Sequence, residues 1–388
     1  MATLPRPIQA LPLLRQLKLD DTELIAALIS VGEAGYAQTS ERTYEIRSAD
    51  SLIAEVRLNR NFQLTSVMIP SDVWRTIRLK ISADAELNQT RIARTILFTY
   101  RPPTGYAQIP GWLQLRPVAC DLKDATGLGL LSSNVSAGIP YPFAIEVVFR
   151  YSNLPLLEAH RRIRAVQEAI WLLSAFIDIP VFILRNPFSW AFLDNTCQLV
   201  RCGAPDGLEE SSDLEFSNTQ GLVSLKPTPP EQYFKELGIT SSEFRVPDLS
   251  SLYSKYKALT LKKQLCFLRS CASLSAASNQ TIGISQKVVS LVSAIEPLLD
   301  APQKCTACKQ PSGITKEFKK FLDLYVNPSP EVRALYEGVY HARSRLVHGG
   351  WNFDVDEPIL GIRPQAHHVP LAAWDATKRG IMKWLLSQ

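Results

Sequence analysis

The chain has 388 residues, of which 46% are hydrophobic and 20% charged, enough for about two domains with ordinary cores. Seven cysteines, odd in number and scattered, fit a reducing cytoplasm better than a disulfide framework. No apolar run approaches the length of a bilayer span, and Pro5, Pro7 and Pro12 interrupt Met1–Leu14 with no cleavage-like site after it. The sequence therefore predicts a soluble, cytoplasmic protein without signal peptide or membrane partner. The net charge of +5 divides unevenly. Residues from Asp248 onward carry 18 Lys+Arg against 11 Asp+Glu, or +7; the first 247 residues carry 24 against 26, or −2. A basic C-terminal segment suits a phosphate-bearing partner, and a solvated face containing Lys255, Lys257, Lys262 and Lys263 explains the same count.

In chain order, residues 20–36 form a short helix through Leu24, Ile25, Ala27, Leu28 and Val31. Period-two alternation follows at Ile46, at Val56 and Leu58, and at Ile77, Leu79 and Ile81, each reading as a strand. Thr95–Tyr100 and Ala144–Tyr151, rich in β-branched and aromatic residues, are further strands. Leu156–Asp178 is an amphipathic helix closed by Pro180, and Val181–Leu184 a buried strand. Arg161, Arg162 and Arg164, beside His160, read as the basic solvent face of that helix rather than a nucleic-acid contact, and Trp74, Trp112, Trp171 and Trp190 as core or semi-buried residues rather than a base-stacking platform. Gly127–Leu128–Gly129 lacks the setting of a phosphate loop and reads as a turn.

Residues 203–230, with their glycines, prolines and acidic group, read as a loop or linker. The fold class expected is an α+β N-terminal domain over 1–235 followed by an all-α helical bundle over 236–388. The bundle helices are Leu249–Ala277, Gln286–Leu299 (ended or kinked by Pro297), Thr315–Val326, one starting at Ser329 and one over Leu371–Leu386.

The Ser329 helix carries the chemistry. Ser329 is its N-cap, Pro330 its first residue and Gly349–Gly350 its stop. His341, Arg345 and His348 share a face at steps of four and three, while Arg343 points elsewhere on a regular helix. Leu335–Tyr336 followed by Arg343–Ser344–Arg345–Leu346–Val347–His348–Gly349 resembles the Apea-like branch of the HEPN superfamily, helical domains with an Arg-x(4–6)-His motif. The resemblance covers the last 140 or so residues. It implies a metal-independent endoribonuclease, with His348 as acid/base, Arg343 stabilising the transition state, Ser344 orienting phosphate or imidazole, and Arg345 and His341 as further RNA-binding candidates. It also implies RNA as partner, a homodimer that pairs two motifs in one cleft, no catalytic cofactor, and a role in phage defence or toxin-like growth arrest. The N-terminal domain would then bind a phage or regulatory ligand. Many active members carry Asn, Asp or His after the arginine, where this chain has Ser344. The residues allow a plainer account as well, with Arg343 paired to Glu337 or a loop carboxylate and His348 capping its helix. Some HEPN domains are non-catalytic RNA-binding or interaction modules. Glu296, in the second bundle helix, also faces the bundle centre in this reading.

Cys305-x2-Cys308 can supply two of four ligands to a structural zinc. His367–His368 could complete it; a paired surface thiol, or a half-site completed across a dimer, fits the same residues.

Overall fold

The computed structural model describes residues 8–9, 19–32, 35–40, 42–48, 51–60, 64–69, 71–87, 89–99, 101–118, 141–183, 188–192, 199–203, 208–209, 214–235, 244–278, 284–299, 313–326, 330, 333, 337–338, 340, 343–344 and 368–388. Helices and antiparallel strands are both present, so the chain is of mixed α+β class. It groups into two compact units: residues 1–93 with 147–167 and 210–216, and residues 94–146 with 168–209 and 217–388. Residues 236–388, expected as a separate bundle, fall in the second unit together with 94–146 and 168–209.

In the first unit, strands β1 (Ile8–Gln9), β2 (Gly35–Ser40), β3 (Thr43–Ser48), β4 (Ser51–Leu58) and β5 (Leu64–Met68) form an antiparallel sheet in the order β1-β5-β4-β3-β2. Helix α1 (Asp21–Gly32) is opened by a capping box: Asp20 Oδ1 accepts from the amides of Thr22 and Glu23, and Glu23 Oε2 accepts from the amide of Asp20. Its Leu24, Ala27 and Leu28 are buried with Ile46, Ala54, Val56 and Val67 of the sheet. Each leucine, isoleucine or valine among them contributes on the order of 1.5–3 kcal/mol by leaving water.

Helix α2 (Ser71–Leu87) stands where alternation at Ile77, Leu79 and Ile81 predicts a strand. Trp74, Ile81 and Asp84 are at steps of seven and three and are partly or fully buried, whereas Arg78, Leu79 and Lys80 are exposed. The helical period governs, because a helix buries Ile81 against the first core while leaving Arg78 and Lys80 in water.

A six-stranded sheet is built from β6 (Thr90–Thr99), β7 (Ala107–Ile109), β8 (Leu113–Pro117), β9 (Tyr141–Arg150), β10 (Val181–Phe182) and β13 (Leu208–Glu209), in the order β10-β6-β9-β8-β7 with β13 also on β6. β11 (Phe188–Phe192) and β12 (Leu199–Gly203) pair separately. Pro110 and Gly111 (φ +73°) make the tight β7–β8 turn, with the Trp112 amide donating to the Ile109 carbonyl at 3.1 Å. The turn delivers Trp112 into the core, where it stacks on Tyr253 at 4.0 Å, so this tryptophan is structural. Part of the expected 203–230 loop is pinned rather than free. Ser217 donates its amide at 2.8 Å, and its hydroxyl, to the fully buried Glu146, which Arg94 and Gln114 also reach; Tyr106 exchanges backbone bonds with Val223 and Leu225.

Further helices with described bounds are α3 (Pro155–Phe176), α4 (Pro230–Lys235), α5 (Leu249–Ala258), α6 (Leu261–Ala277), α7 (Ile284–Ile295), α8 (Ile314–Tyr325) and α9 (His368–Leu386). The expected helix over Leu249–Ala277 is two helices. Leu259 and Thr260 are extended between them, and Gln264 Nε2 donates to the carbonyls of Lys257 and Leu259 at 3.0 Å, satisfying groups that the helix end leaves open. α7 ends at Ile295 in a 3-10 turn over Glu296–Leu298 containing Pro297, as the proline predicts. α7 packs on α6 and α9, and α9 also packs on α8. At the last of these contacts Gly380 leaves room for the Phe321 ring, 2.8 Å from where a Cβ would stand.

Candidate functional site

Pro330, Arg333, Glu337, Gly338, Tyr340, Arg343 and Ser344 are all helical, as the Ser329 helix requires. Three contacts lay this helix along α8. Arg333 Nη2 lies 2.6 Å from Asp323 Oδ1, Lys319 Nζ 2.7 Å from Glu337 Oε1, and the Tyr340 and Phe318 rings are 5.0 Å apart. Positions rise on one helix as they fall on the other, so the two run antiparallel. Phe318 and Tyr340 are buried, whereas the two ion pairs are largely exposed and contribute about 0–1 kcal/mol each.

One further turn along, Arg343 leaves this seam. Its Nη2 donates to Glu296 Oε1 at 2.6 Å, across 47 residues of sequence, and both side chains are mostly buried. Pro297 determines where that carboxylate stands, because the proline-containing turn begins at Glu296. Arg343 Nε is buried and has no hydrogen-bond partner among the described residues. The guanidinium is thus fixed at one corner by a charge-assisted bond that orients its planar fork. Glu337, named for Arg343 on sequence grounds, pairs with Lys319, and it is Glu296, not considered for that role, that holds the arginine. Ser344 is helical and half-buried beside it. His348, Arg345 and His341 lie outside the described residues.

A second polar group escaped sequence reading. Lys378 of α9 is fully buried, and its ammonium donates to the carbonyls of Ser174, at 2.9 Å, and Ile177, at the C-terminal end of α3. Those carbonyls lack a continuing helix to pair with, and a cation suits the negative helix end. Burial nevertheless brings the amine down to about 7, with Asp178 and Cys271 opposing the shift, and Trp374 lies 5.3 Å from the nitrogen. Trp374, Lys378, Ile381 and Leu385 follow steps of four, three and four, so a lysine on the apolar stripe was the available signal.

Arg161 corrects the expected solvent face of α3. It is buried, with Nε 2.7 Å from Glu23 Oε1 and Nη1 3.3 Å from Asp84 Oδ2. Arg162 and Arg164 pair with Glu158 and Asp20. In the basic C-terminal segment, Lys257, Lys262 and Lys263 are exposed, while Lys255 is half-buried and donates to the Leu386 carbonyl at 3.4 Å.

Cys305, Cys308 and His367 lie outside the described residues. Among the described residues no group of three or more His, Cys, Asp or Glu could hold a metal ion. Cys271 is buried and its thiol is pushed well above the usual range by desolvation, so it is a poor source of thiolate. Among the described residues no helix is long and apolar enough to cross a membrane.

No protein-family model, no curated protein and no solved structure matches the chain.

Proposed function

We propose that the chain is a metal-independent endoribonuclease of the HEPN type, acting on RNA through its own 2′-hydroxyl. The observation that carries this reading is Arg343. It is helical where the motif requires and held at one corner by Glu296, with Nε free of any partner among the described residues. RNA brings its nucleophile with it. His348 removes the 2′-hydroxyl proton, the oxygen attacks the adjacent phosphorus, and the P–O5′ bond breaks with the 5′-oxygen taking a proton from water, giving a 2′,3′-cyclic phosphate and a 5′-hydroxyl. Arg343 stabilises the added charge of the pentacoordinate phosphate, a task for which an always-protonated fork is suited. Ser344 positions the phosphate, and Arg345 and His341 contact the strand. A homodimer pairing two such helices would complete the cleft, and Cys305 and Cys308 would at most staple a loop through zinc. The biological setting we infer is cytoplasmic RNA cleavage in phage defence or growth arrest, with the N-terminal region receiving the trigger.

The same ion pair favours a second reading, a non-catalytic RNA-binding or interaction module. An arginine already neutralised by a carboxylate can serve packing alone. Purified protein incubated with total RNA in EDTA separates the two. Cleavage leaving 2′,3′-cyclic phosphates, abolished in Arg343→Ala and His348→Ala with RNA affinity largely retained, is the enzymatic outcome. RNA binding without cleavage, with or without a trigger, is the outcome for a module. Cleavage that survives in both variants removes the motif from catalysis.

A further inference from the structure

The first unit contains a half-open cleft of about 180 Å³, lined among the described residues by Ile25 and Ile29 of α1, Tyr44 and Ile46 of β3, and Val56 and Leu58 of β4. Two features keep it from being a simple packing gap. Ile46 and Val56 form a buried floor whose position is set by the antiparallel register Tyr44↔Val56 and Ile46↔Ala54. The helix above is tied to β5 at its start by the Leu64 amide, which donates to Asp21 Oδ2 at 2.9 Å. That bond holds the start of α1 to the sheet.

Among the described residues the lining is apolar on both walls. Leu24, Ala27 and Leu28 are the fully buried face of α1, and Ile25 and Ile29, one turn apart on its flank, are half-buried where they pack against the margin of the same core. A helix flank that met only water would be polar. The charged residues of the strands, Glu45, Arg47, Glu55 and Arg57, alternate onto the other face, where they pair within their own strands. An apolar cavity of about 150 Å³ admits a benzene ring, which sets the size of guest that a half-open cleft of about 180 Å³ can hold. A sugar, nucleotide or anion would lose hydrogen bonds here without replacement.

From this geometry we propose that the cleft binds a small, neutral, apolar ligand, a hydrocarbon chain or ring of about six to eight carbons. This assignment is independent of the RNA-cleavage reading. It gives the N-terminal half a defined ligand chemistry, where sequence periodicity yields a scaffold alone.

Methyl NMR on the full chain, titrated with benzene and with 1-hexanol, tests it. Saturable shifts confined to the methyls of Ile25, Ile29, Ile46, Val56 and Leu58 are expected, and Ile29→Trp, which fills the mouth from a half-buried position, should weaken binding by about tenfold or more. Retained dispersion of the other methyls shows that this variant is folded. Absence of saturable shifts in the wild-type chain, or shifts spread over its surface, overturns the proposal. So does binding that Ile29→Trp leaves intact.

Discussion

Arg343 and Glu296 meet at 2.6 Å across 47 residues of sequence, joining the helix that bears the Arg-x4-His motif to the turn that ends α7. The pair sits where solvent is largely excluded, so each partner needs the other.

Glu296→Ala should destabilise the chain by about 1–3 kcal/mol, the range for a lost hydrogen bond to a charged group. A double-mutant cycle with Arg343→Met should return a coupling energy of about 1 kcal/mol or more. Urea unfolding midpoints measure both. If the chain cleaves RNA, Glu296→Gln should also lower kcat more than it alters KM, because the orientation of the guanidinium matters most when charge develops on phosphate.

Lys378 predicts a pH signature. Its folded value of about 7 lies below the ordinary 10.5, so between these limits the unfolded chain binds a proton that the folded chain does not. Stability attributable to this residue therefore rises with pH across that window, and below it the penalty of burying the charge is fully present. The stability of the wild-type chain should climb relative to Lys378→Met from about pH 7 towards 10.5. Thermal melts that run parallel for the two proteins over that range would refute the assignment.

Arg161 joins Glu23 and Asp84 in one buried cluster, and Asp84 also accepts from the Ser152 hydroxyl at 2.7 Å and the Asn153 amide at 2.8 Å. Arg161→Ala should cost about 3–5 kcal/mol, the penalty for stranding a buried carboxylate. Arg164→Ala, three residues on but solvent-exposed, should cost less than about 1 kcal/mol despite its pairing with Asp20. Chemical denaturation of the two variants gives the comparison directly.

Cys271 should resist thiol reagents in the native chain, because it is fully buried and desolvation disfavours its thiolate. Iodoacetamide labelling followed by peptide mass spectrometry should find Cys271 unmodified until denaturant is added. Rapid native labelling would mean that α6 opens locally.

Much of the helical framework was legible in the sequence. Asp20 with Glu23, Pro297 and Pro180 act within a few residues, so α1 and the ends of α7 and α3 follow from local chemistry. The motif helix was legible in the same way, and its described residues are helical. Where two periodicities compete, local pattern is insufficient. Ile77, Leu79 and Ile81 alternate as a strand would, and only the available core at Trp74 and Ile81 decides for helix. The break at Leu259–Thr260 carries no proline or glycine, so nothing local announces it.

The sequence by itself determined a mixed α+β chain, a basic C-terminal segment and an arginine on a helix. Tertiary structure alone decided that Arg343 faces Glu296, that Arg161 is buried between two carboxylates, and that Lys378 closes the end of α3. The physical reason is range. Caps and prolines act through neighbouring backbone, whereas the partner of a buried charge is whichever opposite group packing brings within about 3 Å, and sequence spacing does not encode it.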